Sequence, residues 1–390
     1  MMSTHNEPGG SVVHEIRWSD ALPWWLLFRA AGAAFSPTVI LLAAAGAVAT
    51  WAGWSMADRL GLPGVERAAG TVAAAQAANE LVLPGAPAVK TLTTSGPGPW
   101  LRAIVDALPP VVADVSRLLA IPFQPAATLR EVGGAAARIG WFVLVWSIFG
   151  TAIARHVALK LVGEDAPGIV GATWFGSRKW LPAFNSVLFV LVGVFALSVP
   201  GALLGLAMRT GWGLAFAGAV WPLVLLGAVV LAILVVGVIA GWPLMVACVG
   251  VERGDSFQAI STAFSYLYQR PLHYAFYAAV ALLVSIPTLL VAGLFAHATA
   301  DLAMWATSFG MGHERTVAVL DGLAAAGPTA DAWGVRAIRF WSRGLETLLS
   351  SFGWGYFWAI ATAAYLLLRQ DVDGTELDEV VLDEPAGEAA

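Results

Sequence analysis

Charge is scarce in this 390-residue chain: Lys, Arg, Asp and Glu make up 12% of it, about half the share a soluble globular protein carries. So little charge excludes an ordinary cytosolic enzyme and a disordered regulator, and it leaves no source for the basic face that nucleic-acid binding needs. Cysteine is scarcer. Cys248 stands alone, which excludes an internal disulfide framework and any multi-cysteine metal site, and its apolar surroundings in the sequence read as packing.

Chemical motifs are missing as well. His5, His14, His156, His273, His297 and His313 form no His-x-x-x-His pair, and no carboxylate joins them at ligand spacing. Glycine-rich phosphate loops are absent. Gly254-Asp255-Ser256 has the look of a hydrolase nucleophile but no strand–turn–helix context, so Asp255 or Ser256 is expected to cap the helix that follows. Nothing in this pattern implies a cofactor or a metal, and the chain reads as non-enzymatic.

Apolar sequence is what the chain has in quantity: 58% of its residues are hydrophobic, with a mean hydropathy of +0.75. A hydrocarbon core of about 30 Å takes ~20 apolar helical residues to cross. Six segments approach or exceed that length: Ser36 to Met56, Ile139 to Ala154, Leu181 to Met208, Ala217 to Val251, Tyr274 to Ala296, and Phe352 to Leu368. The second is short but flanked by Arg138 and Arg155, whose stems can snorkel. The fourth is too long for one straight crossing, so a bend is expected at Gly241-Trp242-Pro243, and Pro200 is a candidate kink in the third. No segment alternates with period two over ten residues, which disfavours a membrane β-barrel. The fold class is all-α, a polytopic membrane helix bundle with interfacial amphipathic helices.

Tryptophans punctuate these spans. Trp24, Trp25, Trp51, Trp54, Trp141, Trp180, Trp212, Trp354 and Trp358 all fall at span ends, where indole rings favour the headgroup level. Trp146 and Trp221 fall inside spans and read as space-filling. Orientation follows from the short connections. With the N-terminus cytoplasmic, the inside holds Arg17, Arg29, Arg155, Lys160, Arg178, Lys179, Arg253, Arg270 and Arg369, and the one short outer turn holds Arg209. Both termini are therefore expected in the cytoplasm, with the protein multi-pass in the inner or plasma membrane of a bacterium. The first apolar stretch has no basic n-region and is too long for a signal peptide, so it reads as an uncleaved anchor.

The domain plan that results is a cytoplasmic and interfacial segment over 1–35, one transmembrane domain over 36–369, and an acidic cytoplasmic tail over 370–390. Long external segments cover 57–138 and 297–351. Leu22, Trp25, Leu26 and Ala30 predict an interfacial helix before the first span. Residues 65–82 and 100–119 predict further helices, separated by Pro/Gly-rich loop. In the second external segment a small helix is expected from His313 to Ala325. Beyond it, Arg336, Arg339 and Arg343 recur at helical spacing against Val335, Ile338, Trp341 and Leu345. Such a stripe can meet lipid phosphates or simply be solvated on an interfacial helix, and these three arginines are the candidate site residues.

Within the spans, as bounded above, no Asp, Glu, Lys or Arg lies deep, whereas pumps and ion-coupled transporters usually carry such groups. Gly201 with Gly205 and Ala43 with Ala47 form small-xxx-small pairs, which favour close helix packing.

Trp242-Pro243-Leu244-Met245-Val246-Ala247, followed by Glu252, Ala259 and Arg270, resembles a pattern in the membrane domain fused to some glycerophosphodiester phosphodiesterases and in related bacterial multi-span proteins. In that group a long span ends in an acidic residue and an Ala seven residues on opens a short cytoplasmic helix. Ala263 stands where the group usually has Ser. The ending Tyr365-Leu366-Leu367-Leu368-Arg369 also resembles the group's last span. The resemblance covers about 50 residues and implies no catalytic residue, because the phosphodiesterase chemistry belongs to a separate domain.

Three functions fit these features. One is a non-enzymatic scaffold, partner subunit or membrane-organising protein whose partners are the bilayer and another membrane protein. The second is a permease for a neutral or amphipathic solute or lipid, using the broken spans. The third is a lipid-modifying enzyme drawing on Glu80, Asp106, Asp114, Asp301, His313 and Glu314. Net charge is −5, but eight acids after Arg369 account for more than that, leaving 21 basic against 18 acidic residues elsewhere. The body is slightly basic and the acidity belongs to one tail.

Overall fold

A computed structural model describes residues 22–62, 115, 118–119, 121, 128–324 and 333–375. The predicted helices at 65–82 and 100–119 and the tail beyond 375 lie wholly or largely outside them. The described chain is all-helical. Eight helices follow in order: α1 Trp25–Ala34, α2 Pro37–Arg59, α3 Leu129–Val162, α4 Ile169–Ala207, α5 Gly211–Glu252, α6 Ser256–Gln269, α7 Pro271–Ala324 and α8 Trp333–Asp373. Six of these, all but α1 and α6, are long and apolar enough to cross a membrane, one for each predicted span. The protein is a multi-pass integral membrane protein.

Local chemistry sets the helix ends. Ser36 caps α2 by accepting the Val39 N–H, with Pro37 preset at the first helical position. Thr128 and Glu131 form a capping box on α3, which ends at Gly163 in the left-handed conformation, φ 86°. Asp255, as expected, caps α6 through the Gln258 N–H at 2.8 Å. The site of the expected bend, Gly241–Pro243, does not interrupt its helix. α5 stays helical through Pro222 and Pro243, and α4 through Pro182 and Pro200, since neighbouring carbonyls and helices in a bundle tolerate a lost N–H. The real break is at Gly312, φ 73° and ψ 168°, which starts the small helix predicted from His313.

The helices sort into inner and outer sets. In the most apolar window of α3 and α8, 83% and 89% of residues are buried; in α4, α5 and α7 the share is 11%. α5, with 42 residues, is about 63 Å long at 1.5 Å per residue, twice a ~30 Å hydrocarbon core. Its excess length is accommodated by tilt or lies beyond the hydrocarbon.

The core is aromatic and alanine-rich. Trp146 lies 4.7 Å from Trp354 and 5.9 Å from Trp358, and Trp242 lies 5.4 Å from Phe142 and 5.3 Å from Trp358. Trp354 and Trp358, expected at the headgroup level, are instead buried in this cluster, while Trp221, expected to fill space, is 45% exposed. α8 begins at Trp333, so both of its core indoles stand in mid-helix and not at its start. Small residues permit the closest approaches. A Cβ on Gly176 would stand 2.3 Å from the Ile148 carbonyl oxygen, and one on Gly250 would stand 2.7 Å from the Ala154 Cβ. These two glycines let α4 and α5 close on α3. The Gly201/Gly205 pair does not serve this purpose: a Cβ at either would meet nothing within 4 Å. Ala43 does pack, against Gly355 of α8.

Candidate functional site

Polar side chains gather where α3, α5 and α8 end and α4 and α6 begin. Glu252, the last residue of α5, is the centre of this cluster. Its carboxylate accepts the Tyr365 hydroxyl and the Gln258 Nε2–H at 2.8 Å, and the Arg369 Nη1 lies 3.7 Å away. A carboxylate that accepts two hydrogen bonds and faces a guanidinium, all from two other helices, is well satisfied, which offsets much of the cost of removing it from water. The tyrosine and the arginine come from the last turns of α8, at i and i+4, so one face of that helix reaches the same carboxylate.

Beside Glu252, Arg253 takes the left-handed conformation, φ 59°, as the C-cap of α5. A residue with a Cβ pays about 1–2 kcal/mol for that conformation. It turns the chain into Gly254 and sends its carbonyl to the Lys179 Nζ at 2.9 Å. Arg155 reaches the neighbouring carbonyl, with its Nη1 3.4 Å from the Val251 oxygen. The Arg155 and Arg253 guanidiniums lie 5.3 and 5.8 Å from the centre of the Phe175 ring, and Arg178 lies 5.3 Å from that of Trp174. Rings hold these cations by their negative faces. Arg155 does not snorkel to solvent as expected, nor does Arg138. Both are buried, Arg155 against the α5 C-terminus and Arg138 on Asp58 at 2.7 Å and the Trp54 carbonyl at 3.1 Å. Span-end arginines here satisfy carbonyls and an acid at the C-terminal ends of adjacent helices, where backbone carbonyls lack partners.

The root of the acidic tail is tied into the same end. α8 continues to Asp373, so the segment predicted as tail from 370 starts as helix. Asp371 accepts the Tyr277 hydroxyl at 2.7 Å and Asp373 accepts that of Tyr266. Burial and the Asp373 carboxylate together push the Tyr266 phenol well above its ordinary range. α6 folds back along α5: Tyr268 donates to the Ile233 carbonyl, and Ala263 and Phe264 face Gly241 and Gly237. Its buried face is Ser256, Ala259, Ala263, Tyr266 and Leu267, while Phe257 and Tyr268 are exposed.

A second polar clip joins distant parts of the chain. The His156 Nδ1 lies 2.8 Å from the Pro167 carbonyl oxygen, and its Nε2 3.2 Å from the Ser36 Oγ. The carbonyl can only accept, so a neutral ring carries its proton on Nδ1 and Nε2 accepts the Ser36 hydroxyl. This order of groups matches a nucleophile and its base. Ser36, however, is buried and its oxygen also accepts the Val39 N–H, so the arrangement fastens the α3–α4 turn to the start of α2.

The predicted arginine stripe is divided. Arg336 and Arg343 are exposed on α8, whereas Arg339 is half-buried and donates to the carbonyls of Gly322 and Leu323 near the end of α7. Of the residues considered for an enzyme, Asp301, His313 and Glu314 are exposed on α7, Asp301 before the Gly312 break and the other two after it. Glu80, Asp106 and Asp114 lie outside the described residues. Among the described residues no three His, Cys, Asp or Glu side chains form a metal-binding group. No family model, curated protein or solved structure matches the chain.

Proposed function

We propose that this protein is a non-enzymatic membrane-organising or partner subunit. One observation carries the reading: the centre of the bundle is filled while its flanks are open. Trp146, Trp242, Trp354 and Trp358 occupy the middle between α3, α5 and α8, the place where a solute path through these helices would run. By contrast, α4, α5 and α7 turn large apolar side chains such as Phe195, Leu223 and Phe295 outward, a surface that takes lipid or the helices of another membrane protein.

Two further expectations have support in the geometry. Arg29 on Leu161, Arg155 on Val251, Lys179 on Arg253 and Arg369 on Glu252 place these basic residues together at one end of the bundle, which favours that end as cytoplasmic in the cell membrane. Glu252, Ala259 and the Tyr365–Arg369 ending, which carry the resemblance to phosphodiesterase-associated membrane domains, also lie in one packed neighbourhood, since α6 buries Ala259 and Tyr266 beside Tyr365.

The test is photo-crosslinking from positions 203, 223 and 295 in native membranes, with liposome transport measured in parallel. A reproducible protein adduct and solute or lipid movement no faster than in protein-free vesicles are expected. Adducts to lipid alone remove the partner. Transport above the protein-free rate replaces the subunit with the permease.

A further inference from the structure

We propose that the outer helices α4, α5 and α7 are built for a hydrocarbon layer thicker than an ordinary bilayer, and that the protein gathers lipids with long acyl chains along them. The proposal rests on the membrane-organising reading and supplies its lipid, but it needs no protein partner. The first observation is length. Exposed large apolar side chains run from Leu181 to Leu206 on α4 and from Trp212 to Ile239 on α5, about 38 and 40 Å at 1.5 Å per residue. No Asp, Glu, Lys or Arg interrupts either run, and α7 has none from Pro271 to Ala300, about 44 Å. An ordinary hydrocarbon core is about 30 Å thick. By contrast, α2 reaches Asp58, whose side chain is 65% exposed, after an apolar run of about 31 Å from Pro37. The excess belongs to the outer three helices.

Tilt does not remove it. Membrane helices tilt by about 20° on average and up to about 40°; at the average a 40 Å run still spans roughly 38 Å, and only the upper limit brings it to ~30 Å. α4 and α5 close on α3 at Gly176 and Gly250. Tilting them that far carries α3 along, although its Arg138 and Arg155 stand only about 25 Å apart.

The third observation is how those two arginines are held. They are 3% and 1% exposed, Arg138 on Asp58 and the Trp54 carbonyl, Arg155 on the Val251 carbonyl. A hydrocarbon layer that ended beside them would let them snorkel. One that reaches past them requires each cation to be enclosed and bonded by protein, which is the arrangement present.

The experiment uses the full protein, purified and reconstituted in phosphatidylcholine vesicles with equal parts of fourteen-, eighteen- and twenty-two-carbon monounsaturated chains. A styrene–maleic acid copolymer then excises small discs, and lipid mass spectrometry compares the chains around the protein with those of protein-free discs. The expected result is enrichment of twenty-two- over eighteen-carbon chains by roughly twofold or more, with fourteen-carbon chains depleted. Leu203→Lys with Phe216→Lys alters two sites, 62% and 60% exposed, near the α4–α5 turn, leaves the buried faces intact and cuts the two runs to about 32 and 33 Å. The enrichment should then fall by about half, since α7 keeps its length. A preference centred on eighteen-carbon chains, or an enrichment that the double variant leaves unchanged while tryptophan fluorescence shows an intact core, overturns the proposal. So does a flat profile, and a flat profile in discs holding two copies assigns the surface to self-association. A photo-crosslinked protein partner would survive any of these outcomes, and its absence would not alter the chain-length profile of the purified protein.

Discussion

Glu252 and Arg369 join the last residue of α5 to the last turns of α8, with 3.7 Å between carboxylate oxygen and guanidinium nitrogen and both side chains largely shielded from water. The two residues are 117 positions apart, so the contact fixes how two long helices meet. Arg369→Met leaves the carboxylate with Tyr365 and Gln258 alone and is expected to destabilise the protein by about 3 kcal/mol, the lower range for breaking a buried pair. Tyr365→Phe should cost about 1–2 kcal/mol. Unfolding in mixed micelles, read by tryptophan fluorescence, measures both. Equal and negligible effects would mean that the cluster does not hold the helices together.

Close packing on α3 gives a second prediction. Gly250→Ala sets a methyl group 2.7 Å from the Ala154 Cβ, well inside contact distance, and overpacking of this kind costs about 1–3 kcal/mol. Ala154→Gly in the same chain should recover most of the loss. If the double variant is no more stable than Gly250→Ala, the two helices are not in contact at that point.

Much of this architecture can be read from sequence because membrane spans are set by length and hydropathy, which are local properties. The Asp255 cap and the helix from His313 are local too, and both appear where expected. What sequence does not disclose is which side of a span faces protein. Trp358 at a span end and Trp146 in mid-span look different in sequence yet pack on each other, and Arg155 is written like a snorkelling residue but lies under α5. The Glu252–Tyr365–Arg369 cluster is legible only in fragments, because its members are brought together by the crossing of helices more than 110 residues apart. Period and composition contain no record of that crossing.

Tyr266 makes a pH-dependent prediction. Its phenol donates to Asp373 and is pushed upward by burial and by that carboxylate. A folded-state value above the unfolded value of about 10 means that the contact stabilises fully below pH ~10 and is lost as pH rises through the folded value. Spectrophotometric titration should show Tyr266→Phe removing one phenol from those that ionise above the ordinary range. Asp373→Asn should move that phenol to lower pH while leaving it above the ordinary range, because burial remains. A phenol lost instead from the ordinary range in Tyr266→Phe would place Tyr266 in water.

The arginines of α8 separate two roles that sequence spacing presents as one. Arg336 and Arg343 are exposed, and Arg339 is turned onto the Gly322 and Leu323 carbonyls. Carbonyls in the last turn of a helix lack backbone partners, and a basic side chain that satisfies them stabilises by roughly 0.5–1 kcal/mol. Arg339→Ala should therefore speed hydrogen exchange in residues 313–324 severalfold, since 1.4 kcal/mol is about tenfold in an opening equilibrium. It should leave the retention of anionic lipid during detergent exchange unchanged. Arg336→Ala with Arg343→Ala should do the opposite, reducing the anionic lipid that co-purifies and leaving exchange in 313–324 as it is. Lipid retention that falls equally with all three substitutions would restore the continuous phosphate-binding stripe, and the Arg339 cap would then be incidental to it.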